Sequence, residues 1–414
     1  MYKRILVTFG IVLLTLLILL WGYLLLFGAP DSADQFFTEL RLGSGPTERE
    51  DATFLIQESD RQQLALPNQL SQLTTRSVAG FIPVTSSTTT KVIYGEIGTG
   101  YIYEVDLNTG IETRLSGITF GKTVDAVLNP EASAVILTTE NDLATESTLY
   151  FLGEDNNSTI DLGEADNIRF TSNDTVQYTV DVNSQLINYE YDLVLETERE
   201  LWRSPITDVM VYDIGNSPYI FTKPAPELEG NVYAVRQSLT SIHSPLYVYY
   251  AKPIDQNRLI ETYYNFDFGA LTSRIYEINT GSSVDFPILT LPEKCALNPK
   301  NISMMWCASP VPFPENLERE SIRDWHFGLN TFEDWLWTID LEQNIATAEV
   351  DFLETVGFTI DVEDLTFDQA GENIFFINKI NGALWRYQVA SEPELVVEEE
   401  SEAEVELSGE VEGE

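Results

Sequence analysis

The side chains that could carry chemistry in this 414-residue chain are 66 carboxylates, two histidines, two cysteines and seven tryptophans. Hydrolysis through a nucleophile needs a hydroxyl or thiol beside a base, and no Gly-x-Ser-x-Gly elbow occurs. His243 and His326 are too few for a His-rich metal site and too isolated for an obvious triad. Asp324 stands two residues before His326 and could orient it, but close neighbours on a strand point to different places, so a structural or surface role is expected. Gly95-Glu-Ile-Gly-Thr-Gly100 lacks the Lys and the following helix of a phosphate loop and reads as a strand turn. Carboxylates could supply a glycosidase pair, but their abundance denies distinction to any chosen two. Asp155-Asn-Asn-Ser-Thr-Ile-Asp161 alternates oxygen ligands and could hold Ca²⁺. Without the Gly and the bidentate Glu of an EF-hand it reads first as a hairpin turn. No other metal or cofactor is expected, and no residue is assigned a catalytic role.

Five of the tryptophans fall within residues 306–385. Clustered aromatics can stack on sugars or anchor an interface. Trp337 and Trp385 lie on expected strands and read as packing. Trp325 and Trp335 flank a loop and are the candidate binding-surface aromatics. Cys295 and Cys307 are expected to form a disulfide across a hairpin. If Leu297 faces Ser303, Cys295 faces Met305 and the sulfurs are diagonal neighbours on one face, which a twist or bulge must bring together. A shift of one residue in register would separate them.

The elements that position these residues begin with residues 5–27, an uncharged run of 23 residues. As a helix it would span about 34 Å, enough for a hydrocarbon core of ~30 Å. Lys3 and Arg4 precede it, whereas Asp31, Asp34 and Glu39 come before the next cation, Arg41. The positive-inside rule puts residues 1–4 in the cytoplasm and the rest outside, on an uncleaved signal anchor in the lipid bilayer. Residues 28–77 read as a stalk, with a short amphipathic helix over 57–72. The net charge of −43 repels phosphate and excludes nucleic acid as a partner. Residues 391–414 carry 11 Glu and no cation, and subtracting them still leaves −32. That tail is expected to be disordered through self-repulsion. Eight of the 23 cationic residues are Lys, a composition compatible with a salty medium.

Residues 78–390 alternate Val-, Ile-, Tyr- and Phe-rich runs with Gly, Asn, Asp and Pro clusters, the pattern of strands and turns. An Asp-initiated strand recurs at Asp125, Asp166, Asp208 and Asp364. An aromatic-initiated strand closed by a turn recurs from Ile102, Tyr189, Ile275 and Trp337. The first three Asp positions lie 41 and 42 residues apart, within the ~40–50 residue period of a four-stranded blade. The expected fold is an all-β propeller with blades starting near residues 81, 125, 166, 208, 246, 295 and 364. Seven blades is the count, with six or eight as alternatives, and a strand near 79–84 is expected to pair into the last blade and close the ring.

Gly98-Thr-Gly-Tyr-Ile-Tyr-Glu-Val-Asp-Leu, the Cys295/Cys307 segment, Phe332-Glu-Asp-Trp-Leu-Trp-Thr-Ile-Asp and Phe376-Ile-Asn-Lys-Ile-Asn-Gly-Ala-Leu-Trp resemble a family of N-terminally anchored bacterial envelope propellers. That family occurs in small-genome lineages, is similar to TolB-type propellers in blade pattern, and implies fold and location without an activity. The expected function is a binding or scaffold module for an envelope protein or a surface polysaccharide. The alternative is a propeller glycosidase-like hydrolase using paired carboxylates.

Overall fold

The computed structural model describes residues 69–85, 90–141, 144–153, 159–215, 217–311 and 320–389. The anchor at 5–27, the stalk up to residue 68, most of the Asp155–Asp161 loop and the tail at 391–414 lie outside the described residues. Among the described residues, no helix is long and apolar enough to cross a membrane.

Second strands such as β7 (Ala134–Glu140) and β28 (Asn373–Asn378) are apolar along much of their length, because neighbouring sheets cover both of their faces. Outer strands such as β13 (Thr197–Ser204) are largely exposed. The strands form seven antiparallel sheets. Their inner strands are β2 (Val78–Thr85), β6 (Thr123–Leu128), β10 (Asp166–Ser172), β14 (Val209–Ile214), β19 (Leu246–Pro253), β23 (Cys295–Leu297) and β27 (Val362–Phe367). The expected seven-bladed propeller is therefore the fold, with blade starts where the repeat placed them.

Closure differs from expectation. Residues 79–84 belong to β2, which pairs with β3 (Thr90–Glu96) of the first blade. The ring is closed instead by β1 (Leu70–Gln72), which pairs with β29 (Ala383–Gln388), Leu70 opposite Tyr387. Leu70 is the physical reason, being buried against Trp306, Trp385 and Tyr387. The stalk as drawn from sequence thus contains part of the last blade, and the helix read over 57–72 gives way to strand at residues 70–72.

Both recurrent motifs have local causes. In the third strands, Asp106, Asp192 and Asp340 accept N–H groups two and three residues ahead and build the following turn. At the inner strands, Asn167, Asp208 and Asp364 adopt positive φ of 49°, 53° and 54°, which short polar side chains tolerate. The register shifts at Asn167 and Asp364 are β-bulges.

The Cys295–Cys307 disulfide is present. The register is not the diagonal one. Cys295 lies directly opposite Cys307, and Leu297 opposite Met305. Asn298 moves the register: its side chain accepts from the N–H groups of Lys300 and Asn301, while its own N–H donates to Met304 O.

Candidate functional site

The inner strands enclose a central cavity of about 330 Å³, lined by residues 79–82 of β2, 125–128 of β6, 364–366 of β27, and Lys252 of β19. Gly80 lets β2 and β6 approach closely, since a Cβ there would sit 1.9 Å from Ala126 O. Asp125 and Asp364 both expose side-chain surface, and that surface faces the cavity. Burial raises both carboxyls to about 6. The Ala126 N–H opposes the rise at Asp125 and the charge of Asp364 adds to it. Glu293 and Glu363 add to the rise at Asp364, while Lys252 and Lys379 oppose it.

More titratable groups lie within electrostatic reach of Asp364. A short 3₁₀ turn, Pro292–Lys294, leads into β23, and a helix, α1 (Glu320–His326), follows β24 (Met304–Pro310). Glu293 Oε2 lies 3.9 Å from His326 Nδ1. That is too long for a hydrogen bond. The His326 ring meets Tyr250 edge-on with centroids 4.8 Å apart. Burial, with Lys379 adding to it, lowers His326 to about 4. Burial raises Glu293, and the Tyr250 hydroxyl and the two lysines oppose this. The Tyr250 hydroxyl faces Glu293, and His326 Nε2 is buried without a hydrogen-bond partner among the described residues. The Asp324–His326 pairing does not form, because Asp324 is held by the neighbouring Arg323 guanidinium.

Lys294 points the other way, into a dry cluster that the sequence did not single out. Its Nζ lies 2.5 Å from Asp334 Oδ2 and 2.5 Å from Asp361 Oδ1, and all three side chains are fully buried. Trp325 belongs here. It is completely buried, its indole N–H donates to both Asp361 oxygens, and its ring lies 5.0 Å from Lys294 Nζ. The reading of Trp325 as a binding-surface aromatic is therefore corrected: a buried carboxylate satisfies its indole N–H, and helix α1 packs it into the core. Trp335 lies on β25 (Asp334–Asp340), half-buried and stacked on Trp337 at 6.2 Å. His243 is also internal, bonded with Tyr249 and Arg274 to the buried Glu261.

Exposed apolar residues gather elsewhere. In an antiparallel blade, the start of the inner strand and the loop between the second and third strands share one face of the ring. On such loops of blades five and six, Phe266, Phe268, Phe327 and Leu329 are 57%, 76%, 71% and 77% exposed. Leu228 occupies the same loop of blade four. That loop also supplies β16 (Glu229–Gly230), which pairs with the inner edge of β19. The residues of this rim were legible as apolar loop residues, but only the shared face joins them. Among the described residues, no group of three or more His, Cys, Asp or Glu is placed to hold a metal. Asp161 accepts the N–H of Gly163 as a turn residue does.

No protein-family model and no curated protein matches this sequence. Solved β-propellers resemble the structure. Oligogalacturonate lyase in complex with manganese is 12% identical, with a TM-score of 0.50 over 79% of this chain and 94% of that one. The β-propeller domain of the trilobed protease from Pyrococcus furiosus is 10% identical, with a TM-score of 0.47 over 77% and 97%. TolB from Acinetobacter baumannii is 12% identical, with a TM-score of 0.39 over 68% and 64%. At these identities the likeness is one of fold: the chain is a seven-bladed β-propeller.

Proposed function

We propose that this chain is a binding module held outside the cytoplasm by its 5–27 anchor, and that it receives an envelope protein on the face bearing the loops of blades five and six. The carrying observation is the exposed set Phe266, Phe268, Phe327 and Leu329 on that one face. Exposed apolar groups gathered on one surface are a sign of an interaction site. The chain's net charge of −43 gives the partner its chemistry: an apolar contact surface bordered by Lys and Arg. The test compares membrane pull-downs of the wild type with those of Phe268→Asp/Phe327→Asp. A basic protein held by the wild type, lost with the variant and released by salt supports the reading. Retention unchanged by the variant overturns it. Location is tested separately by a reporter fused after Val389, which is expected to be active only in its extracytoplasmic form.

A glycosidase-like reading is favoured by one observation, the pair Asp125 and Asp364 on a central cavity. Acid–base hydrolysis needs two carboxyls whose protonation differs. Here one environment raises both alike. Binding therefore stands ahead of hydrolysis. Turnover of an oligosaccharide panel that vanished in both Asp125→Asn and Asp364→Asn would reverse that order.

A further inference from the structure

Lys294, Asp334 and Asp361 form a closed set whose parts are not equivalent. Both oxygens of Asp361 accept N–H donors: Trp325 Nε1 at 3.0 and 2.9 Å, and the Phe332 backbone at 3.0 Å. These donors fix the Asp361 carboxyl in place against Lys294 Nζ, 2.5 Å from Oδ1. Asp334 is asymmetric. Its Oδ2 accepts from Lys294 Nζ at 2.5 Å and from the Val362 N–H at 2.8 Å, whereas its Oδ1 is buried without a partner among the described residues. Lys294 Nζ also lies 5.0 Å from the rings of both Trp325 and Phe332, so the amine is enclosed by carboxyls and aromatic faces.

We propose that Lys294 and Asp334 are joined by an intramolecular isopeptide bond, formed with Asp361 as the proton carrier. Nζ forms a bond to Cγ of Asp334, and the Cγ–Oδ1 bond breaks. The ammonium gives up two protons and the carboxylate gives up one oxygen, which leave together as water, so ammonium plus carboxylate becomes neutral amide plus water without oxidant or cofactor. Asp361, in contact with Nζ, accepts its two protons in turn, and both pass to Oδ1, which departs as water. The Val362 N–H steadies the charge that develops on Oδ2, as an oxyanion-hole donor does. Three physical conditions favour the step. Contact geometry replaces a bimolecular encounter. Exclusion of water removes the reverse reactant from the site. Burial also opposes the ionised pair, and it raises the Asp334 carboxyl, with Asp361 adding to that rise and Lys294 opposing it. The bond would tie the 3₁₀ turn before β23 to the first residue of β25. It would seal the same blade that the Cys295–Cys307 disulfide clasps.

The experiment is mass spectrometry of the full chain extracted from membranes, denatured and reduced so that the disulfide does not join peptides. The wild type is expected to be lighter than its sequence by one water. Trypsin is expected to spare Lys294, and the Lys294 peptide should be found joined to the peptide containing Asp334. Asp334→Ala is expected to have full mass and cleavage at Lys294, and Asp361→Ala to leave the bond unformed. A wild-type chain of full mass, cleaved at Lys294, overturns the proposal. A link found at Asp361 overturns the assignment of electrophile and base. Both outcomes are read on the wild type itself, so a variant that fails to fold does not decide the matter.

Discussion

Lys294 and Lys252 meet carboxylates in opposite surroundings. Lys294 is sealed with Asp334 and Asp361, with no exposed surface on any of the three. Lys252 borders a water-accessible cavity with Asp125 and Asp364. The residue types are the same, and the solvent decides what they do. In the dry cluster each charge needs its partner, because an uncompensated buried charge is costly. In the open cavity, solvent screens the same interactions. The first is a device for holding blades together, and the second is a surface that changes charge near mild acidity.

The largest effect that separates the two clusters is the loss of the amine. Lys294→Met removes both the contact and the bond proposed from it, leaves two buried carboxyls facing each other, and is expected to cost at least about 3–5 kcal/mol, the scale for breaking a buried pair. Lys252→Met is expected to cost less than about 1 kcal/mol, as for a solvated pair. Urea denaturation of the full chain measures both. Equal losses would break the comparison.

His326 sits on the border between the regions, and its burial can be read by pH. Its pKa is lowered from the ordinary 6.5 to about 4, so the unfolded chain takes up a proton before the folded one does. The resulting stability is complete above 6.5 and is lost as pH falls through 4. The added proton would have to occupy either Nε2, which is buried and unpartnered among the described residues, or Nδ1, which is 3.9 Å from Glu293. His326→Gln is therefore expected to remove up to about 3 kcal/mol of the acid-dependent loss. Unfolding midpoints at pH 7 and pH 4 test this, and an unchanged slope in the variant would show that the ring is solvated.

Much of the fold was legible because blades are local. Asp106, Asp192 and Asp340 build turns within three residues of themselves, and the blade starts follow from the spacing of Asp125, Asp166 and Asp208. The disulfide was legible for the same reason, although its register depended on how Asn298 caps the turn. Closure was not legible. Leu70 is one of several leucines in its stretch, with Leu64, Leu66 and Leu73, and its partners Trp385 and Tyr387 lie more than three hundred residues away. The two clusters were hidden by the same distance. Lys294, Asp334 and Asp361 come from three separate segments, and 66 carboxylates give no reason to prefer those two. Trp325 was misread because a tryptophan beside a loop looks accessible until α1 turns it inward against Asp361.

The smallest expected effect lies in the cavity. Asp125 and Asp364 rise from 3.8 to about 6 through burial, so between those values the folded chain holds more protons than the unfolded one. Stability contributed by this pair is therefore complete below 3.8 and is lost as pH rises through 6, opposite in sign to that of His326. Both carboxyls are exposed to the open cavity, so the expected size is less than about 1 kcal/mol at pH 7. Asp125→Asn/Asp364→Asn is expected to raise the thermal midpoint at pH 7 by a degree or two, on the order set by the heat of unfolding of a domain this large. At pH 4 it should leave the midpoint unchanged, because both carboxyls are by then largely protonated in the folded wild type. A gain at pH 7 that persisted at pH 4 would mean that packing, not charge, separates the variant from the wild type. A gain as large as the loss in Lys294→Met would mean that the cavity is as dry as the cluster beside it.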